Sequence, residues 1–380
     1  MALFQLVRCQ EWTVVSETCN GILIGVGADG LTAFAPAADT AGNLYAEYGT
    51  QADASTAPEW DINKVGSGLA LDAAINSKKE SYFASMLTFS YSNDSTTFTK
   101  VEGLTGASQS IGFIDSDDSV LGAVGSFKKG KSFVSGVATV SSGKVESVFE
   151  IPTDTPLRYG AFPSSNVWYV SAGSWPADDT VSLSETEFAL SKRVSLNHAT
   201  RNSKINYGHK RKLQSSNETW SAEVQKTTDG GKTWTNVFTA DPATVNYYFN
   251  QISCSTESQC VVVGEGNDAN GTPLVVVFTT TDGGATWTQT LNDVGTIYSL
   301  TAVNMIPNSN FGWMGATVSA GRTLTGAFYT TSDAGMTWTQ QSQLSGCQMI
   351  LNMDFTAAGS GYATCLSASG SKGCIGEYIK

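Results

Sequence analysis

Thr280-Thr-Asp-Gly-Gly-Ala-Thr-Trp287 decides the fold, because the chain writes it more than once. Thr227-Thr-Asp-Gly-Gly-Lys-Thr-Trp234 precedes it, Thr331-Ser-Asp-Ala-Gly-Met-Thr-Trp338 follows it, and the three tryptophans lie 53 and 51 residues apart. All fit S/T-x-D-x-G-x-T-W, and a near-constant period of this length marks a repeat architecture. The chemistry is that of a turn. The carboxylates of Asp229, Asp282 and Asp333 can accept backbone N–H groups and close the turn as an Asx-turn does. Gly231, Gly284 and Gly335 can take a positive φ without a Cβ penalty. Trp234, Trp287 and Trp338 open the next strand and pack beneath the turn, each bringing about 150–250 Å² of burial. Carboxylates satisfied so locally read as structural rather than catalytic.

Ahead of each box runs an apolar strand, a polar turn, a second strand, a turn and the strand that enters the box. The same order predicts seven inner hairpins, at Gly21–Pro36, Gly68–Met86, Ser108–Gly125, Leu157–Gly173, Tyr247–Gly264, Thr296–Val318 and Cys347–Leu366. Degenerate boxes or strand starts follow the weaker units, at Trp60, at Ser92-Asn-Asp-Ser-Thr-Thr-Phe98 and at Val145–Phe149. The last unit ends at Gly373–Lys380, one strand short, while Gln10-Glu-Trp12-Thr-Val-Val15 near the other end matches the Trp-Thr that follows each intact box. Pairing the two closes a ring and removes the sheet edges of an open stack. The expected fold is all-β: a single seven-bladed propeller of four-stranded antiparallel blades over residues 1–380. Composition agrees, with 15% charged residues, 38 Gly and 10% aromatics suiting short strands and many turns.

On these residues the chain resembles the Asp-box (BNR-repeat) propellers, which include sialidases, two-propeller xyloglucan-active glycosidases, sortilin-type receptors and the photosystem II assembly factor. The resemblance implies fold more than activity, since the box is a turn device. Sialidases are six-bladed and use an Arg triad with an early F/Y-R-I-P motif; this chain has six Arg in all, and Thr155-Pro-Leu-Arg158-Tyr has the wrong order. One propeller cannot form the cleft between two that the xyloglucan-active enzymes use. The assembly factor fits in blade count and length, but its family carries an Arg-rich patch that this chain lacks. The expected function is therefore a non-enzymatic binding or scaffold propeller recognising protein or glycan through its loop-bearing rim, as part of an extracellular assembly. A sialidase-like glycoside hydrolase is the alternative, and a photosystem II-type assembly factor the second.

One segment has no repeat counterpart. Residues 176–219 connect the second and third strands of blade four, and such connections open on the rim opposite the boxes. Lys192, Arg193, Arg201, Lys204, Lys210, Arg211 and Lys212 supply seven of the 22 basic residues, and no acid falls between Glu187 and Glu218. Ser184-Glu-Thr-Glu187 reads as a capping box for a short helix. The readings are docking to an acidic partner or glycan, a processing site at Lys210–Lys212, a grip on the acidic face of a second copy, and a solvated loop.

A net charge of −12 opposes phosphate backbones and anionic membranes, so nucleic acid is not an expected partner. No run is long enough for a membrane span. None of the seven Cys forms a C-x-x-C pair, and His198 and His209 lie far from all of them, so no metal or other cofactor is expected. Cys254–Cys260 and Cys365–Cys374 are candidate cross-strand disulfides; Cys19 and Cys347 fall at equivalent places in adjacent blades and could staple the closure; Cys9–Cys374 is a further pairing. With sequons at Asn93, Asn217 and Asn270, the cysteines point to an extracellular or luminal compartment, although Met1–Val7 is too short for a signal core. Asp115-Ser-Asp117-Asp118 lacks the Gly and distal Glu of a calcium loop. Asp72 and Asp354 fall on inner strands and could line the channel.

Overall fold

The computed structural model describes residues 12–16, 21–176 and 219–378, apart from positions 24, 30, 40, 53–57, 69, 86–88, 95, 115–117, 321–322, 356–360 and 368–372. The chain folds as seven antiparallel blades. Strand β1 (Trp12–Ser16) is followed by blade one, β2 (Gly21–Leu23), β3 (Gly27–Asp29), β4 (Thr32–Asp39), β5 (Asn43–Thr50) and β6 (Glu59–Ser67). Both β2 and β3 pair with β4, so they are one inner strand with an interruption. Blade two is β7 (Ala70–Ile75), β8 (Ser81–Ser85), β9 (Phe89–Ser92) and β10 (Thr99–Lys100); blade three is β11 (Gly106–Phe113), β12 (Leu121–Lys129), β13 (Ser132–Ser141) and β14 (Lys144–Glu150). Blade four is β15 (Leu157–Ala161), β16 (Trp168–Ser174), β17 (Ser221–Thr227) and β18 (Thr235–Thr239). Blade five is β19 (Tyr247–Cys254), β20 (Cys260–Asn267), β21 (Pro273–Thr280) and β22 (Thr288–Val294). Blade six is β23 (Ile297–Met305), β24 (Gly312–Ala320), β25 (Thr323–Thr331) and β26 (Thr339–Gln343). Blade seven is β27 (Cys347–Phe355), β28 (Gly361–Ser367), β29 (Gly373–Tyr378) and, completing it, β1.

The inner strands touch in the cycle β3, β7, β11, β15, β19, β23, β27 and back to β3, which makes the arrangement a ring. Closure is by β1, antiparallel to β29 with Trp12 opposite Tyr378. Trp12 stands where the box tryptophans stand. It is buried, stacked on Phe328 of blade six at 3.9 Å and edge-on to Trp313 at 5.8 Å.

The middle strands bury both faces between neighbouring blades, as Val261, Val262 and Val263 of β20 and Val275, Val276 and Val277 of β21 do. Outer strands such as β18 and β22 carry only exposed and half-buried residues. Most inner strands carry an extra residue, with register shifts at Ala70/Asp72, Ser108/Ser110, Leu157/Tyr159, Phe249/Gln251 and Ile350/Asn352. A bulge re-aims side chains, and here it turns polar residues toward the axis and the next blade.

Candidate functional site

The ring has two unlike rims. One carries the boxes, in the turns β17–β18, β21–β22 and β25–β26; the other carries the β16–β17 connection and the crossings between blades. The box rim is a set of self-satisfied turns. In the first box Asp229 accepts Thr233 N at 2.9 Å, Thr233 Oγ1 at 2.7 Å and Thr227 Oγ1 at 2.8 Å, while Thr227 Oγ1 accepts Gly231 N at 3.0 Å. Asp282 with Thr280 and Thr286, and Asp333 with Thr331 and Thr337, repeat the pattern. The threonine hydroxyl beside each carboxylate and the backbone N–H it receives hold Asp229 and Asp282 down at about 2. Gly231, Gly284 and Gly335 adopt φ of 88°, 86° and 87°.

The fourth box position is left-handed too, in Gly230, Gly283 and Ala334. Its N–H latches the box to the first turn of its own blade, through Gly230 N to Asn166 O, Gly283 N to Ser258 O and Ala334 N to Asn310 O at 2.9–3.0 Å. Trp234 and Trp338 donate Nε1–H to the Gly231 and Gly335 carbonyls; Trp287 Nε1 is buried without a partner. Asp94 rebuilds the turn in the degenerate box, accepting Thr96 N and Thr97 N, and Phe98 packs on Phe34 and Phe83 in place of the tryptophan.

A bar of side chains crosses the axis. Gln251 Nε2 donates to Asn352 Oδ1 at 3.2 Å, and Asn352 Nδ2 donates to Asp72 Oδ1 at 2.8 Å. These residues belong to blades five, seven and two, none adjacent to another. Each end is tied to a neighbouring blade, Asp72 Oδ2 by Ile111 N at 2.9 Å and Gln251 Oε1 by Val303 N at 2.8 Å. Asp354 lies on the box side of the bar, its carboxylate receiving Ala28 N at 2.8 Å, Phe355 N at 2.9 Å and Asn304 Nδ2 at 3.3 Å. Burial, with the nearby Asp72 carboxylate adding to it, pushes Asp354 up to about 7 despite those donors. Both carboxylates are thus engaged in joining blades.

On the opposite rim the base of the β16–β17 connection is built with care. Ser174 and Ser221 share a 2.7 Å hydroxyl contact, Ser174 Oγ donates to Thr219 O at 2.9 Å, and Trp175 and Trp220 lie 4.8 and 6.2 Å from the Tyr248 ring. Buried Arg158 places Cζ 5.2 Å from the Trp175 ring and 5.1 Å from Tyr248, and donates to Asn250 Oδ1 at 3.4 Å. Tyr248 OH donates to Glu265 Oε1 at 2.5 Å and Ser299 Oγ to Glu265 Oε2 at 2.5 Å, so the cluster spans blades four, five and six. Burial first, then the Glu265 charge, raises the Tyr248 phenol well above its ordinary value. The period-based reading missed this cluster. Its signal was one Arg opening an otherwise apolar inner strand, with tryptophans bracketing the insertion.

Lys192, Arg193, Arg201, Lys204, Lys210, Arg211 and Lys212 lie outside the described residues, as do His198, His209, Asn217, Cys9 and Cys19. Asn93 and Asn270 are exposed on turns. Cys254 and Cys260 form a disulfide, and its loop takes Tyr169 OH of blade four at the Glu257 carbonyl and Asn308 N of blade six at the Ser255 carbonyl. Cys365 is disulfide-bonded, and Cys374 is opposite it in the β28–β29 register. The Cys19–Cys347 staple requires correction. Cys347 is a free thiol, buried in the cluster of Trp12, Phe328 and Ile350 with Sγ donating to Met349 O at 3.4 Å.

Seven blades, a strand from each end of the chain in the last one, and boxes on one rim define the class: this chain is an Asp-box (BNR-type) β-propeller. Residues 217–371 match the family described as Photosynthesis system II assembly factor YCF48. No curated protein matches the chain. Among solved structures it is similar to an ulvan lyase of polysaccharide lyase family 25 (TM-score 0.59, 8% identity, covering 98% of this chain and 96% of that one). It is similar also to the WD40 propeller of Doa1 (0.56, 11%, 97% of each chain) and the WD40 domain of Toxoplasma gondii coronin (0.52, 9%, 98% and 84%). At these identities the likeness concerns fold alone. Among the described residues no helix is long and apolar enough to cross a membrane.

Proposed function

We propose that this chain is a non-catalytic scaffold that recognises a protein partner through the rim bearing the β16–β17 connection. The observation that carries the reading is the anchoring of both ends of that connection, by Ser174 with Ser221 and by Trp175 and Trp220 around Tyr248. The two ends of a long basic segment are thereby held together on the ring, and binding residues sit disproportionately on loops held by rigid scaffolds. The partner chemistry that seven Lys/Arg without an intervening acid would select is an acidic protein surface or glycan. Changing Arg193, Arg201, Lys204, Lys210, Arg211 and Lys212 to Gln in the full chain tests it by quantitative cross-linking in native extract. Cross-linked partners should fall away while a charge-matched change on the box rim keeps them; an unchanged set refutes the reading. The Cys254–Cys260 bond supports an oxidising compartment, extracellular or luminal. Glycopeptide mass spectrometry of the native protein should then find glycan on exposed Asn93 or Asn270, and bare asparagines would count against secretion.

A second reading is favoured by the family match over residues 217–371: an assembly factor acting on a photosynthetic membrane complex. Fractionation separates the two, since this reading places the protein with plastid or thylakoid membranes and without glycans.

A further inference from the structure

We propose a receptor cleft for a cationic side chain of a protein partner beside the tip of the β12–β13 hairpin. The proposal deepens the reading of that rim as the binding face by naming a second chemistry on it. The hairpin, with Lys129 opposite Ser132 and Lys128 opposite Phe133, overhangs the crossing from blade three to blade four. Between them is an open cleft of about 340 Å³ lined by Phe133, Ser135, Glu150, Pro152, Thr153 and Asp154.

Three observations assign its ligand. Phe133 is 61% exposed, the most exposed of the large apolar side chains among the described residues, and it forms a wall of the cleft. Two carboxylates, Glu150 and Asp154, line the same space. The cleft's edge already receives an ammonium, for Lys129 Nζ lies 3.5 Å from Glu150 Oε2 with both side chains about half exposed. An aromatic face with carboxylates at its margin is the arrangement that attracts guanidinium or ammonium groups, through the ring quadrupole and through charge. Thr153 Oγ1 is turned away, donating to Glu223 Oε2 at 3.0 Å, and Thr155 Oγ1 donates to Glu223 Oε1 at 2.5 Å. The floor is thus fixed to blade four while Phe133 stays uncovered. Lys129 acts as an internal competitor that a partner's Arg or Lys joins or displaces.

The test uses the full chain and a fluorescein-labelled hexa-arginine peptide at moderate salt, read by anisotropy. Combined Phe133→Ser, Glu150→Gln and Asp154→Asn should weaken the peptide at least fivefold, and Lys129→Met should tighten it. A control with two charges removed far away, Glu59→Gln and Asp61→Asn on the outer strand of blade one, should leave affinity unchanged. Equal weakening in that control would show attraction to net charge alone and overturn the cleft. Thermal melting of each variant verifies the fold, and Phe133→Leu, which keeps bulk and loses the ring, should weaken binding without changing the melt. Dimerisation lost in the triple variant by sedimentation would assign the cleft to a second copy and overturn the partner assignment. Failure here leaves the cross-linking test of the basic segment standing.

Discussion

Within a box, two adjacent residues sit left-handed and differ in what surrounds them. Ala334, at φ 60°, shows that the fourth position accepts a Cβ, whereas a Cβ on Gly335 would lie 2.5 Å from Val261 Cγ2 of the preceding blade. Gly335→Ala should cost about 1–2 kcal/mol from backbone conformation, with the steric clash adding to it, as read by urea unfolding. Asp354 makes the residue-scale prediction about pH. Its folded value near 7 stands above its unfolded one near 3.8, so the native state holds the extra proton. Its stabilising share is complete below the unfolded value and lost as pH rises through about 7. Asp354→Asn should flatten the slope of melting temperature between pH 4 and 7, and an unaltered slope would contradict it. The box carboxylates act in the opposite sense: with Asp229 and Asp282 held at about 2, their contribution is present above the unfolded range and lost on strong acidification.

Among the elements, those whose signal is local were legible in the sequence. The S/T-x-D-x-G-x-T-W turns and the hairpins before them announce themselves within eight to twenty residues, and the spare Trp-Thr strand matched its blade for the same reason. The axial bar was not legible, because a bulge shifts the two-residue alternation that pattern reading relies on. Asn352 and Gln251 each follow a register shift, so counting along the strand does not say that they meet. At this scale the expected outcome concerns the blade-four connection, whose ends Ser174 and Ser221 are already registered opposite each other. Replacing residues 177–218 by a short Gly-Ser turn should leave the melting temperature within a few degrees, since shortening such an excursion changes closure entropy little. Collapse of the melt would mean that the segment is part of the core.

For the whole molecule, stability is a property of the circle. Trp12 from the first strand lies between Phe328 and Trp313 of blade six and Tyr378 of the last strand. Truncating a buried tryptophan typically costs about 3–5 kcal/mol, and Trp12→Ala should do so while lowering hydrogen-exchange protection first in β29 and β1. Unchanged protection there would show that the ring does not depend on its seam. That seam also sets an order of events during synthesis. The segment around Trp12 is synthesised before blade one, and its hydrogen-bonding mate around Tyr378 after blade six. Blades one to six can mature as they emerge, but the seventh must await β29, holding one tryptophan-bearing ribbon uncommitted until then. For that interval the nascent chain has an unsealed strand edge open to chaperones, or to a neighbour's spare strand.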